Sequence, residues 1–182
     1  MVAPERLLTP RLLLRKPVPS DVHEVEREYA HDPEVTRYLL WPPDQSSADI
    51  EGFLARAMAA WDRGTVYTWA ITLRETSRLI GMIDARVDAY MVNIGYVLSR
   101  NEWNRGYTTE ALRAVIAWAE REESVERIWA VCAVVNAASA RVMEKAGMER
   151  EGVLRKWMIF PNCGGTPLDC YCYSRVRGGT AR

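Results

Sequence analysis

The chain has 182 residues, 48% of them hydrophobic, which suits one packed domain and excludes a disordered chain. Lys+Arg and Asp+Glu both number 24, so the formal net charge is zero and the basic face of a dedicated nucleic-acid binder is missing. No apolar run approaches the roughly 20 residues of a membrane span, and four cysteines with only two histidines, His23 and His31, show no zinc-site spacing.

The opening residues carry no signal-type segment. The expectation is a cytoplasmic protein with free thiols, a monomer or homodimer, folded as a single domain over residues 1–177 with a flexible tail over 178–182. Residues 12–15 read as a first strand between Pro10 and Pro17. Ser20-Asp21 offers an N-cap for a helix to about Ala30. Trp41-Pro42-Pro43-Asp44 marks a loop, because neither proline can continue a helix. Ile50, Phe53, Leu54, Ala57 and Trp61 then recur at helical spacing. Residues 67–73, 79–87 and 91–98 read as an antiparallel meander, with Glu75-Thr76-Ser77 as the first turn. After a loop, Leu112, Val115, Ile116 and Ala119 form one apolar helical stripe. Residues 128–135 read as a buried strand. Asn136 caps a short helix that Gly147 ends. Residues 153–160 and 168–176 close the chain as two strands turned at 162–165. The pattern predicts an α/β fold with a mixed, mostly antiparallel twisted sheet of about seven strands and about four helices.

The segment 103–111, Trp-Asn-Arg-Gly-Tyr-Thr-Thr-Glu-Ala, sits between a predicted strand and the amphipathic helix. A helix N-terminus presents unpaired N–H groups and a partial positive charge, which suits phosphate. Gly106 permits close backbone approach, Arg105 adds charge, and Thr108 and Thr109 add hydroxyls. Taken alone, the segment reads equally as an ordinary capped loop. Neither a P-loop nor a dinucleotide-binding glycine motif is present.

With its flanks, the chain resembles the GNAT superfamily of N-acetyltransferases, and within it the branch of ribosomal-protein N-terminal alanine acetyltransferases. The resemblance rests on Glu102 to Ala111 and on Asn136-Ala-Ala-Ser139-Ala-Arg-Val142-Met-Glu144-Lys145-Ala-Gly147-Met148. It extends to Leu8 to Arg15 at the start, and to Glu151-Gly152 and Asp169 to Ser174 near the end. It implies acetyl-CoA as acyl donor, coenzyme A as product and an amine acceptor, either a protein N-terminus or a small molecule. Tyr96, Val97 and Leu98 would pair their backbone with the pantetheine arm. Asn104, Arg105, Gly106, Tyr107, Thr108 and Thr109 would wrap the diphosphate. Asn136 would touch the pantetheine region, and Ser139 would sit near the sulfur and hydrogen-bond the departing thiolate.

Two departures bear on catalysis. Asn93 stands where many relatives carry a glutamate, and Met143 where many carry a tyrosine seven residues after the motif asparagine. Asp84 and Asp88 are then the candidate bases, with solvated surface carboxylates as the plain alternative, and Ser139 is the candidate acid. Cys132 lies mid-strand with no neighbouring histidine, which favours a core thiol and direct transfer over a covalent acyl-enzyme. Tyr38, Trp41, Tyr67, Trp69 and Tyr90 are candidates for the acceptor pocket, although single aromatics are ordinary core. Transfer of another acyl group, and a non-catalytic acyl-CoA sensor, are the alternative readings.

Overall fold

Apolar residues on both sides of the central strands bury both faces of one twisted sheet. A computed structural model describes residues 1–178, so the expected tail lies, apart from Gly178, outside the described residues. The strands are β1 (Arg6–Leu8), β2 (Leu12–Arg15), β3 (Val66–Leu73), β4 (Leu79–Asp88), β5 (Met91–Leu98), β6 (Arg127–Ala133), β7 (Glu149–Ile159) and β8 (Pro167–Val176). They run in the order β1-β2-β3-β4-β5-β6-β8-β7, eight strands against the seven expected. The added strand is β1, too short for any alternation to reveal. Thr9 N donates to Leu12 O at 3.0 Å and the Thr9 hydroxyl accepts from Leu12 N at 2.9 Å, which closes the β1–β2 turn.

The helices are α1 (Val22–Val25), which continues as a π turn Glu26–Ala30, then α2 (Pro33–Thr36), α3 (Ser47–Asp62), α4 (Tyr107–Ala119) and α5 (Ala137–Lys145). The single turn α2 is also new. Asp32 caps it by accepting from Glu34 N at 2.9 Å, and Pro33 occupies its first position. Asp21 does not cap α1 as expected, because a 3-10 turn over Pro19–Asp21 already leads into the helix. Its buried carboxylate takes both guanidinium nitrogens of Arg15, at 2.6 and 2.9 Å, and Val18 N at 2.8 Å. Gly147 ends α5 as expected, with φ +86° and bonds from Gly147 N to Glu144 O and Met148 N to Met143 O.

Residue parity divides the sheet. Tyr67, Trp69 and Ile71 of β3, Ile83 and Ala85 of β4, and Ile94 of β5 pack with the buried stripe of α4. Ala70, Met82 and Val97 point the other way, to α1, the π turn and α3. Three acceptor-pocket expectations are corrected here. Trp69 is fully buried on the α4 face, with ring centroids 5.2 Å from Trp61 and 5.3 Å from Trp118, and its Nε1 donates to Pro4 O. Tyr67 belongs to the same aromatic cluster, and Thr68 between them faces the opposite side. Tyr90 sits exposed in the β4–β5 turn, outside the lining of the cleft.

All neighbouring strands are antiparallel except β5 and β6. That parallel ladder spans only Met91↔Arg127, Val92↔Ile128 and Asn93↔Trp129. Beyond Asn93 the strands part, and a cleft opens through the sheet. On the other flank of β5, Gly81 lets the backbones close up. A Cβ there would lie 2.2 Å from Val97 O and 3.0 Å from Leu98 Cα. The Glu151-Gly152 pair noted in the sequence ties the far strands. Glu151 accepts from Arg127 of β6 at 2.7 Å and from Ser174 of β8 at 2.6 Å, which together hold its carboxyl down to about 2.

Gly81→Ala is expected to cost about 2–3 kcal/mol in denaturant unfolding, because backbone on the facing strand cannot yield as a side chain does. Glu151 sets an acid limb. Its folded pKa lies below the ordinary 4.5, so its contribution is present above about pH 4.5 and fades as pH falls toward about 2. The carboxylate is well exposed, so the contribution is below about 1 kcal/mol. Thermal midpoints of Glu151→Gln should change less between pH 5 and 2.5 than those of the parent.

Candidate active site

The loop before α4 is shaped by two left-handed residues, Asn104 at φ +60° and Gly106 at φ +79°. Asparagine and glycine tolerate that conformation where others strain. Gly106 is the N-cap of α4 and supplies no side-chain cap, so the first-turn N–H groups face outward with the helix dipole behind them. Tyr107 and Thr108 are half-buried there and Thr109 is buried. The Arg105 guanidinium reaches back to within 3.3 Å of Glu102 Oε2. Glu102 is itself buried and pairs with Arg78, which also holds Glu28 of the π turn at 2.8 Å.

A clamp on this loop comes from the far end of the chain. Arg11, just before β2, donates from Nη1 to Arg105 O at 2.9 Å and from Nε to Glu110 Oε2 at 2.7 Å. Its guanidinium lies 4.5 Å from the centre of the Tyr107 ring. Burial pushes the Glu110 carboxyl up, but Thr9 and the backbone and side chain of Arg11 outweigh it and hold the group below its ordinary range. The sequence comparison covered Arg11 without giving it a role, since nothing local in the sequence announces a contact across 94 residues.

The edge of β5 leads from this cradle into the cleft. Ser99 N donates to Ile80 O at 2.7 Å, and Trp103 Nε1 donates to Leu98 O at 2.9 Å. Strand alternation then turns the N–H and C=O of Tyr96 away from β4, toward the gap left by β6. Across the gap, Asn136 Oδ1 accepts from Ser139 N at 3.1 Å and caps α5. Ser139 Oγ lies 2.8 Å from the Tyr96 hydroxyl. Cys132 lines the same gap, and burial pushes its thiol up to about 11, against a hydrogen bond with Ser139. A protonated thiol without a base is a poor nucleophile.

On the opposite face a second group of polar side chains converges. Arg86 donates to Asp84 Oδ2 at 2.8 Å and to Asn93 Oδ1 at 3.1 Å, and Asn93 Nδ2 donates to Trp129 O at 3.3 Å. Asp84 Oδ1 accepts from Gly95 N at 3.2 Å, on the side of β5 that faces β4. Burial raises its pKa, and Arg86 and the Gly95 amide pull the other way without cancelling the rise. Arg86 was missed, although its spacing of two from Asp84 along a strand places both on one face. Asp88 lies at the β4 end beside the exposed turn and faces no part of the cleft. His23 and His31 are exposed.

Tyr38 and Trp41 do line this face. Asn162 Nδ2 donates to Thr36 O at 2.7 Å and Trp41 O at 2.9 Å, pinning the Trp41 loop to the β7–β8 turn. The Tyr38 ring meets Phe160 edge-on at 6.2 Å. One continuous cavity of about 840 Å³ thus runs from the cradle, through the parted strands, to the Asp84 wall. Among the described residues no group of three or more His, Cys, Asp or Glu side chains is placed to hold a metal ion, and no helix is long and apolar enough to cross a membrane.

Residues 11–149 match the acetyltransferase (GNAT) domain family. The chain belongs to the GNAT acetyltransferases. It is 32% identical to an uncharacterized N-acetyltransferase, YoaA, of Bacillus subtilis, over 94% of this chain and 96% of that one. It is 24% identical to the ribosomal protein uS5-alanine N-acetyltransferase of Escherichia coli, over 85% and 83% of the two chains. Among solved structures, a GNAT-family acetyltransferase from Bacillus anthracis superposes with a TM-score of 0.83 at 29% identity, covering 94% and 98% of the two chains. A ribosomal L7/L12 alpha-N-protein acetyltransferase solved with coenzyme A shares the fold, with a TM-score of 0.85 at 20% identity over 94% and 98%.

As a GNAT acetyltransferase the protein is an acyl-CoA-dependent enzyme, with acetyl-CoA as co-substrate. The uncapped α4 N-terminus, the two left-handed residues and the unpaired β5 edge fit that donor: one end would suit anionic phosphate and the other an amide-bearing chain. Arg11→Ala is expected to raise the Kd for acetyl-CoA about tenfold, with kcat reduced less than twofold, because the clamp shapes the cradle and not the reacting atoms. Isothermal titration together with steady-state kinetics checks the split.

Proposed function

We propose that the protein moves the acetyl group of acetyl-CoA directly to a primary amine borne on an apolar body, such as a protein N-terminus, in a ternary complex. The continuity of the cleft carries this reading: donor cradle and acceptor wall meet at the parting of β5 and β6, so both substrates fit at once. Asn104 to Thr109 hold the diphosphate, and Tyr96 to Leu98 pair with the pantetheine amides. Asn136 adds an amide beside the same arm.

The acceptor arrives from the other face, between Val25, Tyr29, Tyr38, Trp41, Met82 and Phe160. These six side chains are mostly apolar, and Arg37, Arg56 and Gln45 border them. Asp84 is already paired with Arg86, and Glu34, on the same wall, is exposed. A polycation therefore finds no cluster of carboxylates, whereas a single amine on an apolar stem finds one base.

Asp84 takes the ammonium proton, directly or through a water, which leaves a neutral amine. Its nitrogen lone pair attacks the thioester carbon, and the C=O pair moves onto oxygen, which a β5 edge N–H stabilises. The oxyanion collapses, the C–S bond breaks with its electron pair on sulfur, and Ser139 hydrogen-bonds the thiolate. The nitrogen sheds its second proton to solvent to give the amide. Asn93, in the position of the glutamate seen in many relatives, orients Arg86 and through it Asp84.

Thiol release from acetyl-CoA with three amines tests the acceptor: a peptide beginning with alanine, 2-phenylethylamine and spermidine. The apolar amine and the peptide should turn over, and spermidine at least tenfold more slowly. Faster turnover of spermidine refutes the acceptor reading. A raised thermal midpoint with acetyl-CoA, but no thiol release with any amine, would make the protein a sensor. Asp84→Asn should lower kcat about 100-fold, the lower end for loss of a general base.

A further inference from the structure

On the α4–α5 face of β5, the Tyr96 side chain reaches the first turn of α5. Its hydroxyl oxygen lies 2.8 Å from Ser139 Oγ and 3.2 Å from Ser139 O. The ring packs against the main core. Burial pushes the phenol pKa up, against the hydrogen bond with Ser139, so Tyr96 is a neutral donor at any physiological pH. The other titratable groups facing it are spoken for. Tyr173 donates to Glu144 at 2.8 Å, and Cys132 is a protonated thiol. Met143, in place of the tyrosine many relatives carry on this helix, is fully buried in the core.

Two hydroxyl protons and three oxygens, the third being the Ser139 carbonyl, admit two arrangements. In one, the Ser139 hydroxyl donates to Tyr96, Tyr96 donates to Ser139 O at 3.2 Å, and the Ser139 proton is spent. In the other, Tyr96 donates to Ser139 Oγ, and the Ser139 proton is free to turn into the cleft. Negative charge developing in the cleft selects the second, because successive donors aligned toward an anion polarise one another.

We propose that Tyr96 is a positioning residue for acetyl transfer: its hydroxyl donates to Ser139 Oγ and so directs the Ser139 proton at the departing sulfur. The inference rests on the role given to Ser139 under Proposed function. No proton leaves Tyr96. The C–S bond breaks with its electron pair on sulfur, the Ser139 O–H hydrogen-bonds that thiolate, and the thiolate takes its proton from solvent as coenzyme A departs. The chain thus places on β5 a phenol that many relatives place on the helix, one step further from the reacting atoms.

Steady-state kinetics of Tyr96→Phe, Ser139→Ala and the double variant test this, with thermal midpoints as a check that each folds. Tyr96→Phe keeps the ring and should lower kcat about tenfold with the KM for acetyl-CoA unchanged. On the Ser139→Ala background the same change should cost nothing further, because the hydroxyl it orients is gone. A tenfold loss on both backgrounds overturns the inference and leaves the Ser139 role standing. A raised KM with unchanged kcat overturns it in favour of packing. Full kcat in Ser139→Ala removes Ser139 from the reaction and this role of Tyr96 with it, while thiol release by the parent protein still stands for acetyl transfer. Should Tyr96→Phe fail to fold, Ser139→Thr decides, since it keeps the oxygen that Tyr96 orients: kcat within threefold of the parent supports the inference, and a loss as deep as in Ser139→Ala overturns it.

Discussion

The structure depends on an interruption. β5 and β6 pair for three residues and then separate, although both run through the middle of an eight-stranded sheet. An edge strand normally belongs at a margin, where water satisfies its backbone. Here an edge is created inside the protein, and unmet N–H and C=O groups in such a place are costly. Everything around the gap limits that cost or turns it to use. Trp103 takes one carbonyl, α5 closes one bank with a capped first turn, and the rest of the edge is left to a ligand with amides of its own.

Holding the gap open requires stiffness on both banks. β5 is braced from behind by β4, which Gly81 allows to approach closely. β6 is braced by β8, and the Glu151 carboxylate spans the far strands. The cradle is held from outside by Arg11 and from inside by the chain of charges through Glu102, Arg78 and Glu28. Because Glu28 lies on the π turn beside the proposed acceptor wall, the cradle and that wall share one mechanical frame.

Local features were legible in the sequence. α3 and α4 announce themselves by period, Asn136 and Gly147 by capping chemistry, and the cradle by its place before an amphipathic helix. β1 and α2 are too short to hold a period. Trp69 was misjudged for a different reason. β3 is buried on both sides, so its residues show no alternation to say which of Thr68 and Trp69 faces the cleft. Parity became visible only once β4 and the helices were in place. Arg11 on Arg105 and Tyr96 on Ser139 are contacts between distant segments, 94 and 43 residues apart, and neither residue type at its position predicts the partner.

The sheet also acts as a partition. The cradle and α5 belong to one face, whereas the proposed acceptor wall draws on α1, α2, the Trp41 loop and the β7–β8 hairpin that Asn162 fastens to them. The stretch matching the family stops at residue 149, where that hairpin begins. Under the proposed reading, a change confined to the hairpin would alter the recipient of the acyl group and leave the cradle on the other face in place.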